Sequence, residues 1–169
     1  MSDIKRHDHI LVSMLEPQAI GYRFDRSRND WPLHVTLAKW FDVPDIGLLE
    51  RTVDDIAART APFKVTVGSE EMFGADGDTK VNIIADQKPF QALHKQLCEA
   101  VLSQPQSSFV NELWMGDEYR AHVTHHANAR RHEGDVIAVA DMYLVRMADE
   151  RQCEVVQRFA LGVKSREKS

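Results

Sequence analysis

Two histidines and two threonines stand in the same three-residue arrangement, His34-Val35-Thr36 and His122-Val123-Thr124, about half the chain apart. Each copy alternates as a β-strand does: Leu33, Val35 and Leu37 interleave with His34, Thr36 and Ala38, and Ala121 and Val123 with His122 and Thr124. Side chains two apart in a strand project from one face, so each copy aims an imidazole and a hydroxyl into the same space. Histidine titrates nearest neutrality, and a pair can divide at working pH into one proton acceptor and one proton donor. Threonine adds a neutral donor for an anionic oxygen. The four groups together fit in-line displacement at phosphorus, where water is deprotonated, a leaving alkoxide is protonated and phosphoryl oxygens are held. With eight His and six Thr in 169 residues, random placement predicts roughly 0.3 His-x-Thr tripeptides, so two copies are unusual.

The elements that must position these residues can be read from periodicity. His9 to Leu15 is a strand buried on both faces, ended by Glu16-Pro17. Tyr22 to Asp30 is charged and irregular, and Trp31-Pro32 leads into the first motif strand, Leu33 to Phe41. Asp45 can cap a helix carrying Leu49, Val53, Ile56 and Ala57, with Ala61-Pro62 as its stop. Phe63 to Gly68 and Lys80 to Ile83 form an antiparallel hairpin about a turn at 74–78. A second helix starts near Pro89 and runs through Phe90, Leu93, Leu97 and Val101, with His94 as a surface or packing residue. Phe109 to Met115 fits no element clearly, and Tyr119 to His126 is the second motif strand. Val136 to Met147 and Val155 to Val163 complete the strands, with Phe159 and Leu161 sharing a face with Val155 and Val163. This order reads as two related halves carrying one His-x-Thr each, packed as lobes of one unit over 1–169, with polar ends near 1–7 and 164–169.

Composition narrows the function. Hydrophobic residues at 43% and charged residues at 28% describe a globular chain, and no apolar run is long enough to span a bilayer. The polar amino terminus lacks the apolar run of a secretory signal, so a cytoplasmic setting is expected. Cys98 and Cys153 stand in apolar periodic stretches, which favours buried free thiols over a disulfide or metal site. A net charge of −5 argues against charge-driven binding of long nucleic acid, while a small phosphorylated substrate or an RNA end fits. Arg23, Arg26 and Arg28 precede the first motif, and Arg120, Arg130 and Arg131 flank the second, where they could form a basic rim.

These residues resemble the 2H phosphoesterase superfamily, the group containing the bacterial 2′-5′ RNA ligase-like proteins and RNA 2′,3′-cyclic phosphodiesterases. The resemblance rests on His34-Val35-Thr36-Leu37, on His122-Val123-Thr124, on their separation and on an element order spanning roughly 8–163. It implies an α+β bilobal fold with two antiparallel sheets forming a central cleft and helices packed on the outer faces. It implies metal-independent action on a cyclic phosphate or 2′,5′ phosphodiester, with no cofactor. His34 and His122 would be the acid/base pair, and Thr36 and Thr124 would hold the phosphate oxygens. A nucleotide or RNA 3′ end would be the substrate, and a monomer the working unit.

Family members often follow the second motif with Leu and a nearby basic residue, whereas this chain has His125 and His126, which leaves the auxiliary cation unassigned. Lys39 has odd parity relative to His34 and Thr36, so a regular strand would point it away from the site. His126 shares parity with His122 and could extend the site, while His125 faces the other way; strand-end histidines in solvent is the plainer reading of both. Trp31, Trp40, Tyr119 and Tyr143 are candidates to stack a base. Two rivals remain. A metal-dependent hydrolase would use His122, His125, His126 and His132, though these lack recognised zinc spacing. A non-catalytic nucleotide or RNA-end binding module would keep the fold and the phosphate-holding groups without turnover.

Overall fold

The computed structural model describes residues 7–162, apart from 75 and 128 and the side chain of Arg28. Val163 and the polar ends at 1–6 and 163–169 lie outside the described residues. The strands in chain order are β1 (His9–Met14), β2 (Arg23–Asp25), β3 (His34–Asp42), β4 (Phe63–Phe73), β5 (Thr79–Ile84), β6 (Ser108–Phe109), β7 (His122–Thr124), β8 (Val136–Val139), β9 (Asp141–Met147) and β10 (Gln152–Ala160). The helices are α1 (Ile46–Ala58) and α2 (Lys88–Leu102). A six-stranded sheet runs β2-β10-β9-β1-β3-β6 and a four-stranded sheet runs β7-β5-β4-β8, with the pairings antiparallel.

The expected α+β architecture holds, but the lobes are not the two halves of the sequence. β4 and β5, from the first half, join β7 and β8, from the second, in the small sheet. Only Ala140 separates β8 from β9, so what reads as one long strand from Val136 to Met147 passes directly from the small sheet to the large one. Arg23–Asp25, inside the segment read as irregular, is an edge strand paired with β10. The second motif strand is three residues rather than eight.

One apolar cluster runs beneath both sheets. It joins Leu37 and Phe41 of β3, Leu49 and Val53 of α1, Phe90 and Leu97 of α2, Val67 of β4 and Val123 of β7. Helical periodicity explains the two helices: Leu49, Val53, Ile56 and Ala57 form the inward stripe of α1, and Asp45 caps its start by accepting the Leu48 N–H at 3.0 Å. Gln104 bonds both backbone groups of Asp45, N–H at 3.0 Å and C=O at 2.9 Å, tying the end of α2 to the start of α1. Cys98 and Cys153 are buried free thiols, with burial pushing them up to about 12 and about 11. A second cluster, on the opposite face of the large sheet, gathers Ile10, Val12, Phe24, Trp31 and Tyr143.

Bulges break the period-2 rule at three places that matter. In β3 the register with β1 shifts between Thr36 and Ala38 and again between Ala38 and Phe41, so parity counted from His34 fails between the two bulges, at Ala38 and Lys39, and returns at Trp40 and Phe41. In β10 the register slips between Val155 and Gln157, so Val155 joins the second cluster while Phe159 and Leu161 join the main one, against the expectation that they share a face. In β4 a shift between Val67 and Glu70 surrounds Gly68, where a Cβ would meet the Ile83 carbonyl oxygen at 2.8 Å. That approach lets β4 turn from its pairing with β8 to its pairing with β5.

β3 pairs with β6 only at Phe41 and Asp42, which leaves the rest of that edge to be satisfied by side chains. Tyr119 donates its hydroxyl to the Thr36 carbonyl at 2.7 Å, and His94 donates from Nδ1 to the Leu37 carbonyl at 2.8 Å. The two rings stack, centroids 4.0 Å apart and 7° from parallel. His94 is 2% exposed, and its Nε2 accepts the Gly116 N–H at 2.9 Å, so both ring nitrogens are used only while the imidazole is neutral.

Removing the phenol would leave a buried carbonyl without its donor, so Tyr119→Phe is expected to lower the unfolding free energy by about 1–3 kcal/mol in denaturant titration. Burial lowers the proton affinity of His94, and also of His9, His34, His122 and His125, below the ordinary histidine value of 6.5. The unfolded chain therefore binds more protons than the folded one as pH falls below 6.5, and stability present above that pH is lost on the way down. The carboxylates held low, such as Glu70 and Glu71, act in the same direction only at lower pH, below the ordinary carboxylate range. The urea midpoint is expected to fall between pH 7 and pH 5, with a shallower fall in His94→Gln; a midpoint flat across that range would contradict the burial of neutral imidazoles.

Candidate active site

β3 lies against β7 at the seam between the two sheets. Val35 and Leu37 of β3 and Val123 of β7 enter the core beneath, so His34, Thr36, His122 and Thr124 rise from the opposite face. His34 and Thr36 pair across the sheet with Met14 and Val12, which belong to the second cluster on that same face. The loops beyond the motifs are joined as well: the Ala127 N–H donates to Asn29 Oδ1 at 2.8 Å, linking the segment after the second motif to the segment before the first.

The two histidines are held alike. His34 Nδ1 lies 2.8 Å from the carbonyl of Pro32, and His122 Nδ1 lies 2.8 Å from the carbonyl of Arg120, in each case the residue two before. A carbonyl only accepts, so Nδ1 carries the proton in both rings and Nε2 is the nitrogen left to exchange one. Each ring also has an aromatic wall: Trp31 stands 4.6 Å from His34, and Phe73 stands 4.7 Å from His122, between centroids. Trp31 is fixed in turn by its indole N–H on the Arg26 carbonyl at 3.1 Å. Among the described residues the hydroxyls of Thr36 and Thr124 have no protein partner.

Their electrostatics differ. Burial lowers His34 to about 4, against the raising effect of the Pro32 carbonyl, and the charges of His126 and His122 lower it further. The two motif imidazoles are thus within electrostatic reach of each other. His122 is lowered by burial first and by the Arg120 charge, with the Arg120 carbonyl opposing.

The cations around the site are mostly engaged. Arg120, two residues before His122 on the same face, makes a two-pronged contact with Glu71 at 2.9 Å to each oxygen and lies 5.7 Å from the Phe73 ring centre. Arg130 meets Glu70 at 2.6 Å, Arg131 meets Glu16 at 3.6 Å and Arg23 meets Glu154 at 3.7 Å. Arg26 donates to the Glu150 carbonyl at 3.1 Å. A free basic rim is therefore not what these residues form; the side chain of Arg28 lies outside the described residues. Lys39 does line the same cavity as Thr36 and His122, because the bulges in β3 overturn the parity argument against it. Its ammonium is given to the Asn111 side-chain oxygen and the Leu113 carbonyl, each at 2.5 Å.

His125 and His126 are not strand-end histidines in solvent; both are half-buried. His125 Nε2 meets Asn82 Oδ1 at 2.5 Å, and Asn82 in turn donates to the Gly68 carbonyl at 2.8 Å. His126 lies on the His34 side, as its parity implies, since its charge depresses His34. Among the described residues no three His, Cys, Asp or Glu side chains converge as metal ligands.

The segment before the second motif is held by side chains that periodicity did not reveal. α2 and the residue that precedes it grip this segment: Gln87 bonds both backbone groups of Ala121, Gln91 donates to the Gly116 carbonyl at 2.7 Å, and His94 accepts from the Gly116 N–H. The spacing of 87, 91 and 94 is a helical face, and a polar stripe there was the available signal. Of the aromatic residues expected to stack a base, Trp31, Tyr119 and Tyr143 are buried, and Trp40 is half-buried against Trp31. Trp114, in the stretch 109–115 that fitted no element, is exposed on the wall of a cavity of about 460 Å³ that also contains Thr36 and His122.

No curated protein sequence matches this chain. Among solved structures, Escherichia coli LigT in its apo form is 15% identical with a TM-score of 0.59, and a structure described as a phosphoesterase is 16% identical with a TM-score of 0.57. The protein TT0787 of Thermus thermophilus is 14% identical with a TM-score of 0.55. Each likeness covers 92% of this chain and 98% of the other, and at such identities shows a shared fold. The profile of the 2′-5′ RNA ligase superfamily matches residues 10–155, from β1 into β10 and across both His-Val-Thr motifs, and the chain belongs to that superfamily, which comprises 2H phosphoesterases and RNA ligase-like proteins.

Proposed function

We propose that the protein is a metal-independent phosphodiesterase that opens a cyclic phosphate or cleaves a 2′,5′ phosphodiester at an RNA end or nucleotide, with His34 as general base and His122 as general acid. The observation that carries this reading is the matched pair of imidazoles, each with Nδ1–H locked on the carbonyl two residues before and Nε2 left to move a proton. The unengaged hydroxyls of Thr36 and Thr124 supply donors to the non-bridging phosphoryl oxygens. Crystals of E. coli LigT hold ATP, 3′-AMP and phosphate, which supports a phosphorylated nucleotide as ligand of the corresponding cleft here.

In the hydrolytic direction His34 Nε2 takes a proton from water as its oxygen bonds to phosphorus. The bond from phosphorus to the ribose oxygen breaks, and that oxygen receives the proton from His122 Nε2. The product is a phosphomonoester with one ribose hydroxyl freed, and the proton held by the first histidine returns to the second through solvent. Ligation uses the same groups with a 5′-hydroxyl in place of water: His34 takes its proton as its oxygen bonds to the phosphorus of the cyclic phosphate, the bond to the ribose 3′-oxygen breaks and that oxygen is protonated by His122, which leaves a 2′,5′ diester. We assign the roles from the electrostatics: His34, lowered to about 4, is neutral over nearly the whole working range, while His122, lowered by burial and the Arg120 charge against the opposing Arg120 carbonyl, is left as the proton donor.

His34→Ala and His122→Ala are each expected to lower kcat by about 10²- to 10⁴-fold on 2′,3′-cyclic nucleotides or 2′,5′-linked oligonucleotides, with activity of the parent protein retained after exhaustive chelation. Loss of activity on chelation, restored by one added metal, would move the assignment to a metal-dependent hydrolase. Nucleotide binding with no turnover in the parent protein would make it a binding module of the same fold.

The pH profile follows from the same shifts. The base must be unprotonated, so kcat/KM falls at low pH with a limb near 4 set by His34. The acid must be protonated, so kcat/KM falls on the alkaline side with a limb below 6.5 set by His122. A bell with its maximum on the acid side of 6.5 is expected for the free enzyme. The profile of kcat should lie at higher pH, because a bound phosphate anion favours both imidazolium forms. A kcat/KM optimum above pH 7.5 would refute this division of roles.

A further inference from the structure

The cavity beside His122 has a wall that proton transfer does not require. Trp114 is 68% exposed, and its backbone is in the left-handed region at φ 59°, a conformation that a bulky aromatic residue rarely adopts and that persists only where its surroundings impose it. Those surroundings are visible on both sides. Before Trp114, the Lys39 ammonium takes the Leu113 carbonyl and the Asn111 side-chain oxygen, and that oxygen also accepts the Leu113 N–H at 3.0 Å. After it, Gly116 is held through N–H and C=O by His94 and Gln91. The crest between these anchors has no equivalent restraint: among the described residues the indole N–H has no acceptor. A large aromatic surface is thus fixed in a costly conformation, left in solvent, on the wall of a cavity whose other wall is Phe73 and the exposed Met72.

Lys39 is equally unusual. Its ammonium is half-buried and makes no ion pair among the described residues; it meets two neutral oxygens of one short loop. A charge-assisted bond to a loop carbonyl orders a loop, and this one sets the residue next to Trp114. We propose that the cavity is the base-binding subsite of the enzyme, that Trp114 is the platform on which a nucleobase stacks, and that Lys39 is the positioning residue that holds the platform. This rests on the reading of the cleft as a phosphoester site and specifies its substrate: the phosphodiester acted on carries an aromatic base on the His122 side. Every base has a π-face, so stacking selects for the presence of a base more than for its identity. The cavity of about 460 Å³ lies within the range of small-ligand sites, and its mixture of apolar walls with a few polar groups is what an amphipathic base requires.

The experiment measures binding of 3′-AMP and of inorganic phosphate by titration calorimetry, and turnover of 2′,3′-cyclic AMP against base-free ribose cyclic phosphate, in the parent chain, Trp114→Ala, Trp114→Phe, Lys39→Met and Lys39→Arg. Trp114→Ala is expected to lower the affinity ratio of 3′-AMP to phosphate about tenfold, with most of the ratio kept in Trp114→Phe. Lys39→Met should lower the same ratio and raise KM for the cyclic nucleotide with little change in kcat, and Lys39→Arg should restore much of it. Thermal unfolding of each variant separates a folding defect from a binding defect, and the conservative variants carry the test where the others unfold. If Lys39→Met weakens phosphate and 3′-AMP equally, Lys39 is a phosphate ligand and the positioning role is wrong. If the parent turns over the base-free substrate as well as the cyclic nucleotide, or if Trp114→Ala leaves the ratio intact, the base subsite is overturned while the phosphodiesterase assignment stands. Absence of turnover alongside base-dependent binding overturns the assignment of function and leaves the subsite.

Discussion

The two His-Val-Thr strands are held together by a stacked pair of side chains that neither strand contains. β3 has almost no strand partner on its outer edge, so the carbonyls of Thr36 and Leu37 would face the interior unpaired. Tyr119 and His94 take one each, and their rings stack at 4.0 Å. Tyr119 lies three residues before His122, and His94 projects from α2, so satisfying two backbone oxygens docks the second motif segment and a helix onto the first motif strand. Unsatisfied buried carbonyls each cost about 1–3 kcal/mol, enough to make this arrangement strongly preferred over a looser one. Gln87 and Gln91 continue the grip along the same helical face. The docking of the second motif segment on the first motif strand thus depends on α2 and on a neutral histidine that takes no part in the proposed chemistry.

Period-2 patterning was sufficient for His34, Thr36, His122 and Thr124 because the core fixes their faces independently. Val35 and Val123 have to be buried, and whatever flanks them must then point the other way. The same rule failed for Lys39 and for Val155 against Phe159, because a bulge inserts a residue without any composition signal in this chain. The sheets do not follow the halves of the sequence for a related reason. Strand order in a sheet depends on non-local pairing, and the single-residue step at Ala140 between sheets looks like one continuous strand in sequence.

The stretch from Val110 to Glu118 was illegible for a different physical reason. Its conformation comes from contacts made by distant residues, Lys39 on one strand and Gln91 and His94 on a helix, rather than from its own periodicity. Of the four aromatics near the motifs that the sequence offers for base stacking, Trp31, Tyr119 and Tyr143 are buried as structural members. Trp31 has a role in the site all the same, as the wall behind His34.

That wall is one reason two copies of one tripeptide sit in unequal surroundings. Both rings have the same tautomer lock, so the lock cannot separate them. What differs is the company: His34 packs against the buried Trp31 and feels two other imidazoles, whereas His122 packs against the half-buried Phe73 with one guanidinium nearby that Glu71 already partly neutralises. Desolvation and like charge both disfavour the imidazolium, and both act on each ring, with burial lowering His34 to about 4. A repeated motif thus sits in two unequal electrostatic settings through neighbours outside the motif, and His126, from the unusual His125-His126 continuation of the second copy, is one of the charges that lowers the histidine of the first.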